Sequence, residues 1–290
     1  MKHKILDKIF ENSIKILTIL SILILFFVFV FIAKESSPLF ENISASRFVL
    51  GKGWKPLAKS PTLGIFPVIL STVYISVLSI IISLPIGVGC AVFLSCFATE
   101  NTRKILKPVL DLLTGIPSVI YGFMGLLIVV KFFEANFKMA SGESLLCGAI
   151  VLSIMIVPFI ISTCDESMLK IRLKYESYSY ALGVSKEYMI SKIILRNSFR
   201  SILASVVLAL GRALGETMAV MMVIGNSPMM PKLLGKVQTI SGLIALEMGT
   251  AEVGSLHYHG LFASGFILMV LILIINSILY IVKKKLLDLE

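Results

Sequence analysis

Six apolar runs, nearly free of charge, decide what this chain can fold into. They lie at roughly 16–33, 62–99, 108–130, 144–164, 201–225 and 260–282, the fifth broken by one charged pair. A helix needs about 20 mostly apolar residues to cross a bilayer, and only helices or closed barrels satisfy every backbone polar group there. Charged residues make up 15% of the chain, against about 25% in a soluble domain. The runs predict an all-α integral membrane protein.

Parity follows from charge. The first run follows the basic start "MKHKILDKIFENSIK". Its core is longer than the roughly 7–15 residues of a signal h-region, so it reads as an uncleaved span. The second run is too long for one span and barely short of two. With six spans and a cytoplasmic N-terminus, 17 of the 27 Lys and Arg fall inside: Lys2, Lys4, Lys8 and Lys15; Arg103, Lys104 and Lys107; seven from Lys170 to Arg200; and Lys283–Lys285. Nine fall outside, five from Lys34 to Lys59 and then Lys131, Lys138, Lys232 and Lys236, and Arg212 stands in the membrane. Splitting the second run would place the C-terminal lysines and the 170–200 loop on opposite sides. Six helices with both termini cytoplasmic fits the positive-inside rule better. The chain then divides into an N-terminal helix and outer loop, 1–61, and a core, 62–285, whose cytoplasmic loop is 165–200.

Several functions are unsupported. A formal charge of +10 in a soluble protein would suggest nucleic acid, but loop lysines of a membrane protein explain it here. Cys90, Cys96, Cys147 and Cys164 have no C-x-x-C spacing and read as small buried hydrophobes. His257 and His259 form an H-x-H without a thiol or carboxylate cluster and read as polar loop residues. No metal, cofactor or catalytic residue is expected. No P-loop G-x-x-x-x-G-K-[ST] is present, so the chain does not itself hydrolyse ATP.

Three stretches carry chemistry. "GRALGETMAV" puts Arg212 and Glu216 inside the fifth run. A charge at mid-bilayer costs about 2.5–3.5 kcal/mol on insertion scales, so such residues are functional by default. On one helix they are i and i+4 and reach each other. A self-satisfied pair fixing helix packing is one reading. The other is an anion site, since a guanidinium grips an oxyanion at two points and stays protonated. The intramembrane cost favours the second.

"LLTGIPSVIYGFMGLL" places Gly115, Pro117, Gly122 and Gly125 in the third run. Alone it reads as close packing through small residues. A pathway-lining helix would bend at Gly115, Pro117 and Ser118. The cytoplasmic "SYSYALGVSKEYMISKIIL" holds two short helical patterns around Gly183, with Ser185 as a cap for the second. "VQTISGLIALEMG" reads as a short amphipathic helix in the loop 226–259. Physics alone leaves the cytoplasmic element as a packed inter-span loop or a docking element for a cytosolic partner.

That element resembles the coupling motif of ABC importer permeases, Glu-Ala-Ala, three residues, Gly, then about nine residues to Ile-x-Leu-Pro. Ala181, Leu182, Gly183, Ile193 and Leu195 match. Ser177 stands where the glutamate falls, with Glu176 one residue early, and Arg196 replaces the proline. "GRALGETMAVMMVIGN", "TGIPSVIYGFMGL" and the stretch from Thr239 to Asn276 resemble the PstC-type permease subunits of phosphate ABC importers, over about residues 50–285. The resemblance implies a type I ABC importer permease of the bacterial cytoplasmic membrane that passes inorganic phosphate by alternating access. It also implies a second, PstA-like permease half, two cytosolic ATP-binding subunits and an extracytoplasmic phosphate-binding protein, with membrane lipid around them. Alternatives are a permease for sulfate, molybdate or phosphonate, and an ion-coupled secondary transporter using Glu216. An enzyme acting on lipid phosphates would need a nucleophile–base–metal set that the sequence lacks.

Overall fold

The computed structural model describes residues 2–137 and 139–287, and the side chains of 10–137, 139–281 and 284. Lys138 and the side chains of Lys2, Lys4, Lys8, Lys283 and Lys285 lie outside the described residues. The elements run α1 (Lys2–Asn42), α2 (Ala45–Leu50), the hairpin β1 (Trp54–Lys55) and β2 (Thr62–Leu63), α3 (Phe66–Val92), a π-helical turn Phe93–Phe97, α4 (Glu100–Gly115) and α5 (Ser118–Met124). A second π-turn, Gly125–Val130, leads into α6 (Lys131–Phe137). Then come α7 (Leu145–Ala181), α8 (Lys186–Tyr188), a third π-turn, Met189–Ile194, and α9 (Leu195–Gly215). The chain finishes with α10 (Met218–Met221), α11 (Ile240–Glu247) and α12 (Leu256–Leu287).

Among the described residues, six helical stretches are long and apolar enough to cross a membrane: Phe10–Asn42, Phe66–Phe97, Ser118–Phe137, Leu145–Ala181, Lys186–Gly215 and Leu256–Ile281. The number of spans matches expectation, and the second run is a single span. Several boundaries differ, among them those of the third and fifth spans. Residues 108–115 belong not to the third span but to α4, which Arg103 ties to Asp165 while Ile105, Val109 and Leu112 are exposed. The third span begins only after Pro117. The fifth ends at Gly215, ten residues early, and begins at Lys186 within the loop expected over 165–200.

α7 is the central helix. It packs along α3 through Met155, Ile156 and Ile160, all buried. Contact is close because small residues face it. A Cβ on Gly87 would lie 2.6 Å from Ile160 Cγ2, and one on Gly148 would lie 2.5 Å from Ile224 Cγ2. Ser71, Thr72, Ser76, Ser79 and Ser83 of α3 are buried and return their hydroxyl protons to carbonyls three or four residues back. Small side chains of this kind let membrane helices approach without leaving polar groups in hydrocarbon.

A second cluster, Leu39, Phe48, Trp54, Leu63, Ile65, Val68, Ile240 and Leu243, binds the hairpin to α1, α3 and α11. α1 leans on α12, with Phe29 against Phe266 and Phe31 against Phe262 at 5.7 Å between ring centroids. Most of its apolar surface is uncovered, as a lipid-facing helix requires.

Two local readings are corrected. His257 and His259 lie in the first turn of α12, not in a loop. His257 is buried, its Nε2 2.8 Å from Glu247 Oε2, and Trp54 Nε1 donates to the same oxygen at 2.8 Å. Cys96, Cys147 and Cys164 are buried free thiols, but Cys90 is exposed on the isolated chain.

Candidate functional site

Arg212 and Glu216 do not pair. α9 ends at Gly215, and Glu216 has extended backbone, φ −68° and ψ 127°. The one-turn spacing that would have joined them is lost. Glu216 looks away from the arginine: its Oε1 accepts from Ala219 N at 3.1 Å and steadies the start of α10. Its carbonyl accepts from Ser241 Oγ at 3.0 Å, which ties the break to α11.

Arg212 instead lies over the ring of Phe159, 4.3 Å from guanidinium carbon to centroid. Among the described residues its guanidinium has no hydrogen bond or ion pair, and its side chain is exposed. Phe159 stands about 21 Å along α7 from Leu145 and about 9 Å short of Asp165, at 1.5 Å per residue. Arg212 therefore sits well within the hydrocarbon thickness of about 30 Å. A cation with five unsatisfied N–H donors at that depth requires a partner from outside this chain, or water. The surface around it is bare: a Cβ on Gly115, Gly211 or Gly215 would meet nothing within 4 Å.

Two span ends meet beside it. The third span opens at Ser118, after the break Ile116–Pro117 that follows α4, and Tyr121 Oη bridges the break by donating to Leu113 O at 2.8 Å. Ser118 opens α5 with Pro117 as its cap residue. A Cβ on Gly122 would stand 2.8 Å from Ala219 Cα of α10, and one on Gly125 would stand 2.5 Å from Val151 Cγ2. So Gly122 and Gly125 serve close packing, as expected from composition, while Gly115 and Pro117 form the bend. Irregular backbone at membrane depth persists only where protein buries it or it lines a watered cavity.

The Gly183 element is a sharp turn between two long rods. α7 runs unbroken to Ala181, and the second arm continues through α8 and a π-turn into α9. It is therefore an extension of two spans rather than a separate surface pair of helices. Gly183 has φ +69°, Gly183 N donates to Tyr180 O at 3.1 Å and Val184 N to Ser179 O at 2.9 Å, the Schellman arrangement. Ser185 Oγ accepts from Tyr188 N at 3.3 Å and caps the second arm, as its position predicts. Ser177, Ala181, Leu182 and Gly183 are exposed, and Ile193 and Leu195 half-buried. Leu182 is 80% exposed and Tyr178 66%. Glu176 is not a free substitute for a glutamate at 177, because Arg172 Nη2 holds its Oε1 at 2.9 Å.

Residues 83–288 match the family described as binding-protein-dependent transport system inner membrane component. The chain belongs to this family. A probable ABC transporter permease, YqgH of Bacillus subtilis, is 35% identical over 84% of this chain and 79% of its own length. A probable phosphate transport system permease protein PstC of Methanocaldococcus jannaschii is 31% identical over 97% and 96%. Among solved structures, a bacterial ABC transporter that imports the acidic polysaccharide alginate aligns with a TM-score of 0.57 at 17% identity, covering 76% of this chain and 78% of that one. That likeness shows the shared permease fold. The chain is thus a multi-pass protein of the cytoplasmic membrane, a transport subunit and not an enzyme, working with partner subunits.

Sequence reasoning missed the ion pair of Arg103 with Asp165, the hold of Arg172 on Glu176 and the Trp54–Glu247–His257 cluster. Nothing in local spacing joins residues 62 or 193 positions apart. Arg172 and Glu176, at i and i+4, carried a readable signal.

Proposed function

We propose that this permease forms one half of the pathway by which an ATP-driven importer takes up inorganic phosphate, with Arg212 as the charge that meets the anion. The single observation that carries the reading is the exposed guanidinium at membrane depth with no hydrogen bond or ion pair among the described residues. Phosphate is favoured over other oxyanions by the relatives named as phosphate transport permeases, in Methanocaldococcus jannaschii and Mesorhizobium japonicum among others. A second permease half, PstA-like, faces Arg212 across the pathway. Two ATP-binding subunits seat on the Gly183 turn, and a phosphate-binding protein docks at the opposite end. Residues 62–285 form the core, 1–61 its N-terminal helix and outer loop, and 165–200 the coupling loop. Gly115, Pro117 and Ser118 line the bend.

The test is uptake. The complex is purified through this chain, placed in liposomes with ATP inside and binding protein outside, and supplied with labelled phosphate or sulfate. Phosphate uptake that needs ATP and ignores excess sulfate is expected. Uptake of sulfate alone, or uptake without ATP, would replace this reading by one of its alternatives.

Both termini and the Gly183 turn are assigned to the cytoplasm from the Lys and Arg split. With the four native cysteines replaced, a cysteine at Ser185 is expected to resist an impermeant thiol reagent on intact cells. Cysteines at Ser60 and Ser255 are expected to react. The opposite pattern would invert the chain.

Docking at the turn rests on its exposed Leu182 and Tyr178. Gly183→Val places a β-branched side chain in the left-handed region, where an L-residue loses roughly 1–2 kcal/mol. Nothing else is crowded there, since a Cβ meets no atom within 4 Å. The variant is expected to reach the membrane in parent amount and lose most co-purified ATPase subunit. Full retention of that subunit together with normal uptake would remove docking from this turn.

A further inference from the structure

α3 ends in the π-turn Phe93–Phe97, closed by a hydrogen bond from Ala98 N to Phe93 O. A helix end leaves its last carbonyls without backbone donors. Here other elements supply them. Arg103 Nη1 of α4 donates to Leu94 O at 3.1 Å, and Arg172 Nη1 of α7 donates to Ser95 O at 2.8 Å. A third cation, Lys186 Nζ of α8, stands 4.5 Å from the ring centroid of Phe97. Carboxylates of α7 fix both guanidinium groups in turn. Arg103 meets Asp165 at two points, 2.9 and 2.6 Å. Arg172 donates from Nε and Nη2 to Glu176 Oε1, at 3.1 and 2.9 Å.

Arg172 and Lys186 stand on the two sides of the Gly183 turn, yet both hold the same five residues of α3. An ordinary solvated pair on the same helix shows the contrast: Lys170 and Glu166 are 73% and 68% exposed and bond only to each other. From Ser95, α3 runs about 35 Å to Thr72, whose Oγ1 accepts from Ile240 N of α11 at 3.0 Å. The next residue, Ser241, holds the carbonyl of Glu216, at the break beside Arg212. Hydrogen bonds and one continuous helical stretch, with Pro85 inside it, thus connect the turn to the membrane site.

We infer that Arg172 and Lys186 are positioning residues that make the end of α3 follow the Gly183 turn, so that motion imposed on the turn reaches the break at Glu216. The inference rests on the docking and transport roles proposed above. Contiguity alone does not establish coupling; a coupling measurement does.

The reconstituted complex is assayed for phosphate taken up per ATP hydrolysed. Arg172→Met is expected to assemble, to keep hydrolysing ATP, and to lose about tenfold in that ratio, within the usual span of coupling between sites. Phe97→Leu, which removes only the cation contact and keeps every hydrogen bond, is expected to lose about threefold. Combining it with Lys186→Met is expected to add nothing further, because the two remove one interaction. Lys170→Met is the control and is expected to match the parent. A parent ratio in Arg172→Met, or an equal fall in Lys170→Met, overturns the inference. Should Arg172→Met fail to assemble, Phe97→Leu decides, and an unchanged ratio in it overturns the inference. A parent complex that takes up no phosphate is a different result and counts against the substrate.

Discussion

Replacing Arg212 by glutamine is expected to cut phosphate uptake about 10- to 100-fold, the value of one charge-assisted contact at roughly 1.5–3 kcal/mol, while the complex still assembles. The geometry makes assembly safe. Removing one member of a buried ion pair leaves the other charged and alone, at a cost of about 3–5 kcal/mol. Among the described residues Arg212 has no such partner, and the Glu216 carboxylate accepts from Ala219 N instead. Its loss leaves only the face of Phe159 uncovered. Arg212→Lys is expected to restore part of the rate, because an ammonium offers charge without the planar two-point fork. Glu216→Gln is expected to leave anion affinity near parent and to loosen the start of α10. The measurement is labelled-phosphate uptake normalised to assembled complex. Parent uptake in an assembled Arg212→Gln complex would end the anion-site reading.

Gly122→Val is expected to damage fold and transport together. Its first added carbon would stand 2.8 Å from Ala219 Cα and 2.9 Å from Met222 Sδ. The sulfur can swing aside, but the backbone of α10 cannot, so α5 and α10 must part. Overpacking of this kind costs about 1–3 kcal/mol. For a chain of this size that lowers the unfolding midpoint by about 2–5 °C. Gly115→Ala is the matched control, on the same run but with nothing within 4 Å, and its midpoint is expected to stay at the parent value. Equal midpoints for Gly122→Val and the parent would mean that the two helices are not locked at this point.

What could be read beforehand follows from how far each signal reaches along the chain. Span number was legible because hydrocarbon thickness acts on every run alike. The Gly183 turn was legible because a glycine, a capping serine and two periodic patterns lie within one short stretch. The failure at Arg212 and Glu216 is instructive. A spacing of four means neighbours only if the helix continues, and "GET" carried a stop signal that the surrounding apolar residues masked. Gly215 is a helix ender, and Glu216 caps the next turn through Ala219 N. The third span was misplaced for a related reason: apolar residues on one side of α4 continued the hydropathy of the span behind Pro117. Of the clasp on α3 only the i, i+4 pair Arg172–Glu176 had a sequence signal, because the carbonyls its arginines meet are brought near only by folding.

The Arg103–Asp165 bond also sets a mechanical ratio. It is one of several holds on α7, with about 24 Å of helix beyond it to Ala181 and about 9 Å before it to Phe159. If α7 pivots there as a stiff beam, a 5 Å swing at the Gly183 end becomes a swing of about 2 Å under the arginine, in the opposite direction. The beam trades distance for force: a broad, soft push outside the membrane arrives as a short, firm one where the guanidinium rests on its ring.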